Sequence, residues 1–242
     1  TLGMVRSLAE RFPATTFVWR CHIDLTDPAP EYLAFFAEDL EAVDHGVVSR
    51  REYGEPLELP TSVVHPAIDP LTPKNRPLDE LSGEAAAGAD LSRYRVDPER
   101  PLLVQVSRFD PWKDPLGVVD AYRQVRESVP EVQLAFVGAM PDDDPEGLEV
   151  YRSVEAETDD DPSVHLLTNL PDAGVNAMQR AADVVLQKSI REGFALTVSE
   201  ALWKRRPVVG TDVGGIPLQI TDGENGYLVD PEDIDATAER CR

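Results

Sequence analysis

Positive charge is scarce in this chain. Its 242 residues carry 23 Lys plus Arg against 45 Asp plus Glu, for a net charge of −22. Such a surface repels phosphate backbones and argues against nucleic-acid partners. Cysteine is nearly absent: Cys21 and Cys241 stand far apart and offer neither a disulfide framework nor a metal set. The four histidines, His22, His45, His65 and His165, have no metal-ligand spacing. There is no signal peptide and no apolar run long enough to cross a membrane, so the expectation is a cytoplasmic protein with no membrane partner. No G-x-G-x-x-G and no P-loop occur, which removes the two best-known phosphate-loop signatures. Internal repeats are lacking too.

What is present reads as globular. Apolar residues make up 42%, and the length suffices for one large core or two smaller ones. The acid excess serves solubility or life in high salt. Its Asp-rich spread over the whole chain favours the salt reading, a halophilic source. The chain opens on TLGMVRSLAE, without an initiator Met and inside a helical pattern, and closes on PEDIDATAERCR, a helix barely begun. It is expected to be a fragment.

Residues 1–66 contain three short strand patterns, TTFVWRC, HGVVS and TSVVHP, and a helix pattern over 30–43 with Tyr32, Phe35, Phe36 and Leu40 on one face. Residues 67–100 are rich in Pro, Gly, Ala and charge, without a sustained period, and read as a linker or insertion. From 101 to 242 apolar strands alternate with helical segments. That alternation predicts an α/β fold, a doubly wound parallel sheet of Rossmann-like type covered on both faces. Ligands of such sheets bind beyond the carboxyl ends of the strands.

Three loops there carry candidate chemistry. SRFDPWKD (107–114) places Arg108 and Lys113 at the end of a strand. The pair suits a diphosphate, with Arg forking and Lys acting as a point charge, or else closes a turn salt-bridged to Asp110 and Asp114. KSIREGFALTVSE (188–200) sets Glu192 before Gly193, where the backbone can approach a ligand, and Glu200 inside a helix starting near Phe194 or Ala195. The first amides of that helix can receive an anion. One acid then faces the sugar end of a nucleotide-sugar and the other the ribose end. Alternatively, Glu192 is an acid at a helix start and Glu200 a solvated helix residue. The glycine pair of TDVGGIPLQITDGENGYLV forms a tight turn and is weak evidence for a phosphate loop.

In combination, SRFDPWKD, REGFALTVSEAL and RPVVGTDVGGIPLQITDGENGYLV resemble the family 4 retaining glycosyltransferases of the GT-B fold, with Glu192 and Glu200 similar to the E-x7-E motif of that family. WRCHIDLTDP, PAIDPLTPKN and SRFDPWKDPLGVVDAY are similar to the trehalose glycosyltransferring synthase branch, close to trehalose phosphorylases. The resemblance implies that residues 1–66 are the end of an amino-terminal acceptor domain, and 101–242 a donor domain truncated at its carboxyl end. Arg108 and Lys113 would hold and neutralise the leaving diphosphate. Glu192, with the amides of Gly193 and Phe194, would bind the donor sugar. Leu196 and Thr197 would offer amides to phosphate, and Glu200 would bind ribose. His22 would face the donor sugar from the other domain, and Asp24 is a weaker candidate near the acceptor.

The implied reaction moves glucose from a nucleoside diphosphate glucose, ADP- or UDP-linked, to glucose with retention, giving trehalose. Its alternatives are a trehalose phosphorylase and a non-catalytic nucleotide-sugar-binding protein. No cofactor is required, and Mg2+ is allowed but not indicated. The acid triplets at 142–144 and 159–161 read as solvated acid rather than a metal site. The expected partners are small-molecule sugar and nucleotide-sugar substrates, with a homodimer left open. A fragment of this kind is expected to bind nucleotide weakly and to show little transferase activity by itself.

Overall fold

The computed structural model describes residues 2–140 and 145–242. The chain divides into two units, one of Thr1–Pro66 with Glu192–Phe194 and one of Ala67–Arg191 with Ala195–Arg242. The acid triplet at 142–144 lies outside the described residues.

In the first unit, β1 (Val18–Arg20), β2 (His45–Val48) and β3 (Thr61–Val63) pair in parallel and in chain order. Helices α1 (Val5–Arg11), α2 (Pro30–Phe35) and α3 (Ala37–Glu41) accompany them. The core gathers Cys21, Leu25, Val48, Tyr53 and Leu57, with Leu33 and Leu40 packed against it. The single helix expected over 30–43 is instead two, broken at Phe36 (φ −96, ψ 7). Tyr32 and Phe35 of the expected aromatic face are exposed. Leu33 and Leu40, two turns apart, do the packing, and periodicity alone does not choose between stripes one residue apart.

The second unit holds a six-stranded sheet of β4 (Leu102–Val106), β5 (Gln133–Gly138), β6 (Val164–Thr168), β7 (Val184–Gln187), β8 (Val208–Thr211) and β9 (Gly226–Val229). Every pairing is parallel, and the order is β6-β5-β4-β7-β8-β9. Alternation along the strands sorts the core into two layers. Leu103, Leu134, Phe136, Leu186 and Val209 face one side with α5 (Pro115–Ser128), α6 (Pro145–Thr158) and α9 (Ile234–Arg240). Leu102, Val104, Ala135, Val137, Val185 and Val208 face the other with α7 (Asp172–Ala181) and α8 (Leu196–Trp203). A parallel sheet buried on both faces needs such near-continuous apolar strands. The segment 67–100 carries α4 (Gly83–Gly88), which packs on α7, and buries Asn75 and Val96.

Counted from β4, the strand order reads 3-2-1-4-5-6. The chain winds outward one way through β5 and β6, then returns and winds the other way through β7, β8 and β9. The reversal lies between β4 and β7, and the crevice beyond their carboxyl ends is where such sheets receive ligands.

Candidate functional site

The loops that follow β4 and β7 flank this switch point. They are the 107–114 and 188–195 segments, and they are joined. Ile190 N donates to Trp112 O at 2.8 Å, and Lys188 pairs with Asp114. Lys188 is 2% exposed, and its ammonium also donates to Pro231 O at 2.8 Å. Asp114 sits in the left-handed region (φ 43) and caps α5 by accepting from Gly117 N at 3.1 Å. Pro115 follows as the first helical residue, where its missing N–H costs nothing. The buried Gln105 of β4 donates to Ser107 Oγ at 3.1 Å and to Lys113 O at 3.0 Å, tying the first loop to its own strand.

Arg108 lies at this edge with its side chain 55% exposed and bonded to Asp110 at 2.7 Å. The Arg108–Asp110 pair of the expected salt-bridged turn is present, and Asp114 also pairs with Lys188. Lys113 ends the short 3-10 turn Pro111–Lys113 between them. A pocket of about 320 Å³ opens here, at the small end of the range for ligand sites. Arg108 lines it with Ser107, Gly138, Asn169, Thr197 and Lys74, from the ends of β4, β5 and β6, the start of α8, and the 67–100 segment.

Helix α8 begins at Leu196, close to the expected start, after Ala195 in the left-handed region (φ 66). No side chain among the described residues caps it, so its first turn presents amides of the kind that attract anions. Glu200 is not a solvated helix residue: it is 5% exposed, and Lys74 Nζ lies 2.9 Å from its Oε1. Next to it Lys204 is buried, donating to Asn75 Oδ1 at 2.9 Å and Gln179 Oε1 at 2.7 Å. Burial lowers the pKa of Lys204 to about 8, against the opposing pull of Glu200.

The other expected residues gather in the first unit. Gly193 lies so close to His22 that a Cβ there would stand 2.4 Å from His22 O, with Asp24 N at 3.8 Å. Tyr53 Oη donates to Glu192 O at 3.1 Å and Gly193 O at 3.0 Å. Burial, with the negative charges of Asp24 and Glu192, pushes the Tyr53 phenol up to about 12. It therefore stays a neutral donor at ordinary pH. The Phe194 and His65 rings stand 5.9 Å apart, His22 is exposed, and Glu192 Oε1 accepts from Gly193 N at 3.1 Å. His22, Asp24, Glu192, Gly193 and Phe194 are thus held in one unit, and Arg108, Lys113, Leu196, Thr197 and Glu200 in the other.

Sequence reasoning missed Lys74, Lys188 and Tyr53 as site residues. Lys188 had a legible signal, a lysine directly after the apolar strand VVLQ; Tyr53 had none. A larger pocket of about 520 Å³ lies at the opposite edge, by Arg205, Arg206 and Tyr227 before β8 and in β9. It is remote from the switch point. The second acid triplet is structural in part: Asp161 accepts from Tyr122 Oη at 3.0 Å and pairs with Arg126. No cluster able to hold a metal ion occurs among the described residues.

A parallel sheet with this order, and a cation-bearing loop at its switch point, define a Rossmann-like α/β protein with a candidate anion site beyond the carboxyl ends of its strands. The Anabaena protein HepE, solved in complex with UDP and glucose, superposes with a TM-score of 0.76 at 19% identity, over 100% of this chain and 65% of that one. The chain belongs to the glycosyl transferases group 1 family, matched over residues 90–242, and residues 1–55 match the trehalose synthase N-terminal domain. The trehalose synthase of Rubrobacter xylanophilus is 51% identical over 89% of this chain and 52% of its own length. A trehalose phosphorylase of Pleurotus pulmonarius is 30% identical over 98% of this chain and 37% of its own. The chain thus spans about half the length of the trehalose synthase it matches. No helix among the described residues is long and apolar enough to cross a membrane.

Proposed function

We propose that this chain is the donor-binding part of a retaining glycosyltransferase that moves glucose from a nucleoside diphosphate glucose to glucose, giving trehalose. The observation that carries the reading is the switch point, where the loop bearing Arg108 and Lys113 is tied to the loop leading into the uncapped start of α8. Breaking the bond between the sugar and the diphosphate leaves negative charge on the leaving group and an oxocarbenium-like sugar. Such a step depends on preorganised stabilisation of the leaving group more than on a strong base. Arg108 and Lys113 supply two cations in a chain of net charge −22, and the amides of Leu196 and Thr197 supply aligned N–H dipoles.

In this reading Glu192 accepts from the hydroxyls of the donor sugar, with the amides of Gly193 and Phe194 beside it. Tyr53 fixes that turn by holding the Glu192 and Gly193 carbonyls. Glu200 takes the ribose, His22 faces the donor sugar, and Asp24 lies toward the acceptor. The high identity to a trehalose synthase supports trehalose as the product. A phosphorylase, with inorganic phosphate in place of the nucleotide, is the second reading and is supported by the more distant relative.

The test is binding by this chain. ADP, UDP and inorganic phosphate are titrated separately, and trehalose is assayed after incubation with ADP- or UDP-glucose and glucose. Saturable binding of a nucleoside diphosphate, well above that of phosphate and with little turnover, is expected. Binding of phosphate alone would favour the phosphorylase.

A further inference from the structure

We infer that Lys74 positions Glu200 to recognise the vicinal diol of a nucleotide ribose. The inference rests on the donor-site reading and deepens it. Lys74 Nζ occupies one oxygen of the Glu200 carboxylate, Oε1, at 2.9 Å. The other oxygen, Oε2, is buried and has no hydrogen-bond partner among the described residues. A buried carboxylate oxygen without a donor is costly and uncommon in folded proteins. A ligand bringing hydroxyl groups to it removes that cost. With one oxygen already charge-paired, the carboxylate is fixed in orientation, and the bare oxygen is left as the acceptor.

The turn that carries Lys74 is fastened on both sides. Asn176 Nδ2 donates to Pro73 O at 2.8 Å and to Arg76 O at 2.7 Å. Trp203 Nε1 and Arg180 Nη2 each donate to Asn75 O at 3.1 Å, and Lys204 Nζ donates to Asn75 Oδ1 at 2.9 Å. Side chains of α7 and α8, with Lys204 just beyond α8, thus hold the carbonyls on either side of a residue that is itself partly exposed. Lys74 lines the same pocket as Arg108 and Thr197, and the buried Glu200 carboxylate lies against its ammonium. A lysine held this firmly at the pocket wall, with its ammonium on a buried acid, acts through the acid rather than on the reacting atoms. It is a positioning residue.

The test compares a nucleoside diphosphate with its 2′,3′-dideoxy counterpart by titration calorimetry on this chain. The wild type is expected to bind the ribose form about tenfold more tightly, as a hydrogen bond to a charged group implies. In Lys74→Met the preference falls to within about twofold, and the dideoxy affinity changes the less of the two. Lys74→Arg restores the preference, and Glu200→Gln reduces it. Lys74→Gln, a neutral variant that keeps a donor, gives an intermediate ratio and carries the test should the methionine variant melt. Equal weakening of both ligands in Lys74→Met would make Lys74 a simple cation for the anion and overturn the inference. An unchanged ratio overturns it too, with diphosphate binding left standing. Failure of the wild type to bind either nucleotide removes the donor-site reading together with the inference.

Discussion

The Lys188–Asp114 pair fastens the two switch-point loops, and its two ends are unequally buried. Lys188 is 2% exposed and Asp114 22%. Asparagine at 114 keeps the left-handed backbone and the cap on α5, because Asn tolerates that region and caps helices well. Asp114→Asn therefore removes little but the charge, and leaves a buried ammonium that still donates to Pro231 O. Removing one partner of a buried pair costs about 3–5 kcal/mol, and the surviving acceptor places this case near 3. Lys188→Met leaves the more accessible Asp114 able to recruit water, and costs about 1–2 kcal/mol. The double variant costs less than the sum of the two, with a coupling of about 2 kcal/mol. For a chain of this size the single Asp114→Asn change lowers Tm by about 6–12 °C. Thermal and urea unfolding of the four proteins in one buffer measures all of this. A cost below about 1 kcal/mol for Asp114→Asn, or a greater cost for Lys188→Met, refutes the reasoning.

Other perturbations have equally definite outcomes. Gly193→Ala sets a methyl 2.4 Å from His22 O, so the 22–24 backbone must move. A loss of about 1–3 kcal/mol in stability, seen in denaturant melts, is expected, whereas an unchanged midpoint would show that the approach is not tight. Tyr53→Phe strips the shared donor from Glu192 O and Gly193 O, and should lower stability by about 1–2 kcal/mol and weaken donor-sugar binding more than binding of the free nucleotide. Lys204 binds its proton less tightly folded than unfolded, so between its lowered pKa of about 8 and its ordinary value the unfolded chain holds more protons. Its contribution makes the fold more stable as pH rises through that window, and the cost is fully present below it. Urea midpoints at rising pH should therefore show a smaller upward trend in Lys204→Met than in the wild type, and parallel trends would contradict the burial argument.

Much of the second unit was legible in its residues. Continuously apolar strands, Asp and Pro at helix starts, and polar loops after each strand gave the parallel α/β architecture. The expected start of α8 fell close to the observed one, because Gly193 and the apolar run after it mark a boundary locally. The first unit was less legible. Two apolar stripes one residue apart competed over 30–43, and the break at Phe36 has no proline or glycine to announce it. The burial of Glu200 was hidden for another reason. A glutamate in a helix reads as solvated until its partners are known, and Lys74 reaches it from a position fixed only by the tertiary fold. Lys74 itself sits in a Pro-rich stretch with no period, where sequence pattern carries no information on packing.

One pyrophosphate held at the switch point by Arg108 and Lys113 is the central claim. Arg108 is half exposed, whereas its partner Asp110 is mostly buried and keeps a second donor, Trp112 N at 2.9 Å, so losing the pair costs about 1–2 kcal/mol of stability. Any large loss of affinity in its variants therefore reports binding. The direct measurement is the affinity of a nucleoside diphosphate relative to its monophosphate, in the wild type and in Arg108→Ala/Lys113→Ala. A preference of about tenfold or more for the diphosphate in the wild type, falling to near parity in a double variant that still melts cooperatively within a few degrees of it, is the predicted result. Equal affinity of the wild type and the double variant for the diphosphate would contradict it.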